Sequence, residues 1–147
     1  MACPYFYPQA RSDKKAKQPR LPLGDAYSGL CRVDPMRDWR PDEALLRDCC
    51  NLGYARGRCP RFPDEPGPDA TRFSVTSEQD GALSVFYVSE RNHTAHEHGT
   101  LEYSVDAGKF LSDCPNQLLH KQAQAYVESY LRRKHQPEHL AKNPHRR

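Results

Sequence analysis

The sequence predicts an α+β protein: an irregular cysteine-rich N-terminal module, a three-stranded antiparallel sheet and a C-terminal amphipathic helix. Three observations carry that expectation. Cysteines gather early in the chain among prolines and glycines. Three runs rich in β-branched and aromatic residues then follow one another with short polar breaks. One long segment repeats its apolar residues every three to four positions, as the buried stripe of a helix does.

Residues 1–40 read as irregular. CPYFYP is aromatic and bounded by prolines, RSDKKAKQPR is a basic loop, and LPLGDAYSGLCRV carries turn residues at Pro22, Gly24 and Gly29. A short helix is expected in PDEALLRDCCNL. Pro41 opens it, and Asp42 and Glu43 complement the dipole of its first turn. Leu45, Leu46, Cys49 and Leu52 form its stripe, and Gly53 stops it. DEPGPD (Asp64 to Asp69) reads as a linker. Strands are expected over Thr71–Ser77, Ala82–Glu90 and Thr100–Val105. EQDG makes a hairpin connection, and RNHTAHEHG a longer polar loop or a wider hairpin. A three-stranded sheet needs a cover for its apolar face. Pro115 to His135 supplies it as a helix, with Asp113 placed to cap its start. Residues 136–147 read as a basic tail. The expected organisation is therefore 1–65, 66–135 and 136–147.

Composition explains why the first part needs help to fold. The chain has 147 residues, only 37% of them hydrophobic, and 13 prolines. A thin core usually requires a disulfide, metal or partner as a staple. The six cysteines are the candidate staple. The N-terminus lacks the apolar run of a signal peptide, and no stretch is long enough to span a membrane, so a cytoplasmic protein with no membrane partner is expected. In a reducing compartment clustered cysteines are more often metal ligands than disulfides.

The first 65 residues are accordingly read as a four-cysteine metal-binding module. Its ligands are Cys3, Cys31, Cys50 and Cys59, spaced C-x27-C-x18-C-x8-C. Neighbours on a helix point about 100° apart, so one of Cys49 and Cys50 is expected to ligate. Cys50 is preferred because it stands nearer the turn to Cys59, with Cys49 as the alternative. Zinc sites favour close C-x2–4-C pairs, which are missing here. An iron–sulfur cluster accepts thiolates arriving from separate loops. Cys3 and Cys59 are each followed by proline, as in some ferredoxin motifs, and aromatics such as Tyr5, Phe6, Tyr54 and Phe62 would keep water off sulfur. A [4Fe–4S] cluster is the first expectation and zinc the alternative. Cysteines packing as small hydrophobes without metal is a third reading.

Other chemistry is less specific. Arg56, Arg58 and Arg61 bracket Cys59, where they can offset cluster charge, contact phosphates or simply face solvent. Cys114, before the last helix, reads as a packing residue. His93, His96 and His98 lie in the polar loop, where a metal role ranks below an ordinary solvated loop. No nucleotide-binding or hydrolase motif occurs, so the reading leans away from an enzyme. Charge is uneven. Residues 1–61 hold 12 Lys/Arg against 7 Asp/Glu, 62–113 hold 3 against 10, and 114–147 hold 7 against 2. Mutual attraction between these segments and general solubility rank first, and a basic head and tail that attract nucleic acid or an acidic protein rank second. The expected function is a metal-binding interaction module, with a redox carrier or a structural zinc protein contacting nucleic acid as alternatives.

Overall fold

The computed structural model describes residues 2–12, 21–112, 114 and 116–134. Among the described residues there are two antiparallel sheets, a short helix that continues into a π-helical turn, and one long helix. Strands β1 (Phe6–Arg11) and β2 (Tyr27–Cys31) form a two-stranded ribbon. Helix α1 is one turn, Glu43–Leu45, and runs directly into a π-helical turn at Leu46–Cys50. Strands β3 (Ala70–Gln79), β4 (Ala82–Arg91), β5 (Thr94–Ser104) and β6 (Lys109–Phe110) form a four-stranded meander in that order. Helix α2 (Gln117–Lys134) follows.

The large sheet follows from alternation. Val85 lies between Val75 and Leu101, and Leu83 pairs with Tyr103, which in turn pairs with Phe110. These rows present one apolar face. Phe73, Leu83, Val85, Leu101 and Tyr103 meet Ala123 and Val127 of α2 in the core, which extends to Phe6, Leu23 and Tyr27. The turns are local in origin. Asp80 and Gly81, and then Asn92 and His93, all have positive φ, as two-residue hairpin turns require.

Three expectations are corrected. The sheet has four strands, because Lys109–Phe110 adds a two-residue edge too short to leave a periodic signal. The polar loop Arg91–Gly99 is mostly strand: the chain turns at Asn92–His93 and β5 begins at Thr94. The β4–β5 hairpin extends past the core, and there its residues need no apolar alternation.

The third correction concerns the irregular metal-binding module. The N-terminal segment carries its own ribbon, and among the described residues no three Cys, His, Asp or Glu side chains converge tightly enough to hold a single metal ion. Pro8 hid β1, since proline lacks a ladder donor; the register shifts just after it, between Pro8 and Ala10. Gly29 hid β2. A Cβ there would stand 2.1 Å from the Tyr7 carbonyl oxygen, so the strands can approach only if this residue has no side chain.

The remaining expectations fall near the observed elements. EQDG makes the β3–β4 turn, and the long helix lies at Gln117–Lys134. Asn116 caps it by accepting the Leu119 N–H at 3.0 Å. The proposed cap Asp113 lies outside the described residues, as do most of the basic loop and the tail 136–147. No helix among the described residues is long and apolar enough to cross a membrane.

Candidate functional site

Five cysteines from four stretches of chain line one cavity: Cys3, Cys31, Cys49, Cys50 and Cys59. All are free thiols. The rest of the wall is aromatic or aliphatic, including Tyr5, Phe6, Trp39, Leu45 and Phe62. The cavity holds about 340 Å³ of atom-free space, its open mouth included.

Each cysteine is held by its backbone. Ala2 pairs with Thr71 of β3 through two hydrogen bonds, of 2.7 and 2.8 Å, which bring the following Cys3 beneath the sheet. The Cys3 N–H donates to the Cys50 carbonyl at 3.0 Å, tying two cavity residues together directly. Cys31 ends β2 opposite Phe6 and exchanges hydrogen bonds with Trp39. Cys59 closes a turn by donating its N–H to the Ala55 carbonyl at 2.8 Å. It is half-buried, whereas the other four are buried.

Cys49 and Cys50 sit at the end of the π-helical turn, closed by the Asn51 N–H to the Leu46 carbonyl at 3.1 Å. With this wide turn, both Cys49 and Cys50 line the cavity. The adjoining Asn51 side chain holds the turn against β2. It accepts from the Tyr27 N–H at 3.0 Å and donates to the carbonyls of Tyr27 and Leu46 at 3.0 and 2.9 Å.

Gln122 of α2 reaches the backbone of Cys3. It is fully buried, and its amide nitrogen donates to the carbonyls of Cys3 and Phe6, both at 2.7 Å. Its amide oxygen accepts from the Thr71 hydroxyl at 2.5 Å. One side chain thus joins the helix, the ribbon and the large sheet.

Burial favours the protonated form of three of these thiols, Cys3, Cys49 and Cys50. Burial pushes Cys3 up to about 12, against a partial offset from the Tyr5 backbone N–H, and the charges of Cys31, Cys59 and Cys49 push the same way. Cys50 rises further, through burial and then through its four neighbouring thiols. Cys49 also rises by burial, with Arg58 opposing. Such thiols release protons only to something that stabilises several thiolates together.

The arginines divide. Arg58 donates to the carbonyls of Asp48, Gly53 and Tyr54, holding the cysteine turn. Arg56 pairs with the buried carboxylate of Asp69 at 2.8 Å and covers Phe62. Arg61 lies over the Trp39 ring, 4.4 Å from its centroid, and its Nε has no hydrogen-bond partner among the described residues. Cys114 is apart from the cavity and donates weakly to the Asn116 carbonyl. His93, His96 and His98 form no metal-binding group among the described residues. His93 stacks on Tyr54 at 4.2 Å, while His96 and His98 are exposed along β5.

Sequence reasoning placed Cys3, Cys31, Cys50 and Cys59 in the site, and the fold brings all four to one cavity. It missed that Cys49 joins Cys50, and it missed Trp39 and Gln122. The adjacent cysteines followed by Asn-x-Gly were the available signal for the first. Gln122 falls in the helical stripe with Leu118, Ala125 and Ser129, so its place on the buried face was legible, but its bonds to the Cys3 and Phe6 carbonyls were not. The chain matches no protein-family model, and comparison with curated proteins and with solved structures returns no match.

Proposed function

We propose that the five-cysteine cavity receives an iron–sulfur cluster, with Cys3, Cys31, Cys50 and Cys59 as thiolate ligands and Cys49 as the alternative to Cys50, and that the protein acts as a binding or interaction module. The observation that carries this reading is the gathering of five free thiols in one otherwise apolar cavity. A single ion needs its ligands close together, and no such group occurs among the described residues. The thiolates of a polynuclear cluster bind different irons and stand further apart. The apolar wall suits a cluster, since it limits water at sulfur. When bound, a [4Fe–4S] cluster supplies a one-electron couple or a rigid cross-link of loops. The chain would contribute four thiolates, a dry wall and the Arg58 charge beside Cys49.

A redox role is the second reading. Cys59 is half-buried at the cavity, so an electron could pass by that side without the fold opening. Anaerobic purification with iron, sulfide and zinc analysis tests the proposal. About four irons and four acid-labile sulfides per chain, with a brown chromophore, are expected. Colourless protein with zinc, or with no metal, would overturn it. A reversible one-electron signal would then separate the redox carrier from an interaction module with an inert cluster.

A further inference from the structure

A cluster bound by four thiolates leaves one of the five cavity cysteines unligated. Resting on the cluster reading above, we propose that Cys49 and Cys50 are interchangeable ligands, so that the cluster can pass from one to the other while Cys3, Cys31 and Cys59 stay bound.

The geometry at the π-helical turn supports this. Cys49 and Cys50 are 4% and 7% exposed, and both line the same cavity. Their backbones are anchored independently of their side chains. The Cys49 carbonyl accepts the Gly53 N–H at 2.8 Å, and the Cys50 carbonyl accepts the Cys3 N–H at 3.0 Å. Asn51, immediately after them, is locked to Tyr27 and Leu46. A cysteine places its sulfur through one side-chain torsion. Exchange therefore requires two rotamer changes and no movement of the chain. An ordinary spare cysteine on a neighbouring loop would need the loop itself to shift.

The step balances without a change in oxidation state. With a cluster bound, the Cys49 thiol would give up its proton to become a ligand, and the Cys50 thiolate that it replaces would take up a proton. The reverse exchange is the same step with the residues swapped. Arg58 donates to the Asp48 and Gly53 carbonyls, which flank the two cysteines, and so stands beside this turn.

The test uses the full chain, loaded anaerobically with iron and sulfide, as wild type and as Cys49→Ala, Cys50→Ala and the double variant. Cys114→Ala, outside the cavity, serves as a control, and circular dichroism checks folding. Each single variant should hold close to wild-type iron and sulfide, and the double variant should lose the four-iron cluster. Reduced wild type should give two superposed paramagnetic signals, one matching each single variant. If one single variant loses the cluster and the other is unchanged, the ligand is fixed and the exchange idea is wrong, while the cluster reading stands. If a single variant misfolds, the corresponding serine variant replaces it, and a lone wild-type signal unaltered in the surviving variant overturns the exchange. Wild type that takes up no iron overturns both readings.

Discussion

Gln122 does the work of three contacts with one amide. Replacing it with alanine would take one hydrogen bond each from the Cys3 and Phe6 carbonyls and the Thr71 hydroxyl, leaving the Cys3 carbonyl the Phe6 N–H and the Thr71 hydroxyl only a long bond to the Ala2 carbonyl. Gln122→Ala should cost about 3 kcal/mol, combining unmet hydrogen bonds with a small cavity. Urea unfolding of the metal-free protein measures this, and a loss below about 1 kcal/mol would mean that the groups find other partners. The cysteines make a second prediction at this scale. Cys3 holds its proton up to about 12 in the folded state, whereas a thiol in the unfolded chain ionises near 8.5. The unfolded state therefore binds fewer protons above about pH 8.5, and stability falls as pH rises from there toward 12. Cys50 and Cys49 add to the loss with the same sign. Metal-free protein should thus lose stability between pH 8 and about 10.5, and Cys3→Ala should flatten the decline. An unchanged slope in the variant would show that Cys3 is not responsible.

At the level of elements, the ribbon depends on close backbone approach. Gly29→Ala forces a Cβ into the Tyr7 carbonyl, and backbone cannot yield as a flexible side chain can. A loss of about 2–4 kcal/mol is expected, together with weaker metal uptake, because Cys31 lies two residues further along the same strand. Normal stability in thermal unfolding would show that β1 and β2 can separate without harm. The π-helical turn makes a parallel case: Asn51→Ala removes its clamp to β2 and should lower cluster retention more than Asn116→Ala, which weakens only a helix cap.

These elements also show what sequence alone could reveal. Long periodic segments were legible: the two central hairpin strands, the Asp80–Gly81 turn and the long helix all follow from alternation or a 3.6-residue repeat. The ribbon was not, because Pro8 and Gly29 are poor strand residues in general and are tolerated here for local reasons. Strand β6 was too short to have a pattern. The cavity cysteines were legible as a set, since chemistry restricts what clustered thiols do. Their pairing at 49 and 50 was not, because it depends on a wide turn that helical geometry does not anticipate.

Across the whole molecule, the N-terminal segment and the large sheet share contacts. Ala2 pairs with Thr71, Asp69 donates its N–H to the Glu90 carbonyl, and the Tyr27 hydroxyl donates to the Ala125 carbonyl of α2 at 2.9 Å. Loss of a bound cluster should therefore be felt beyond the cysteines. Hydrogen exchange of cluster-loaded and stripped protein should show lost protection in residues 2–62 and in α2 around Gln122, with the β4–β5 hairpin little changed. Loss confined to residues 2–62 would mean that α2 does not sense the site. Uniform loss would mean that the chain unfolds as one unit.

The hydrogen bond from Gln122 to Cys3 joins residues 119 positions apart. A ribosome makes Cys3 long before α2, and domains acquire their long-range contacts only once both partners have emerged. During synthesis the cysteine-bearing segment is thus exposed without its helix, and its thiols are open to oxidation or to stray metal. The Cys3 and Phe6 carbonyls gain their Gln122 partner only when the helix arrives. On the cluster reading, delivery is then a late event that follows translation of α2, with the nascent polypeptide kept reduced until that point.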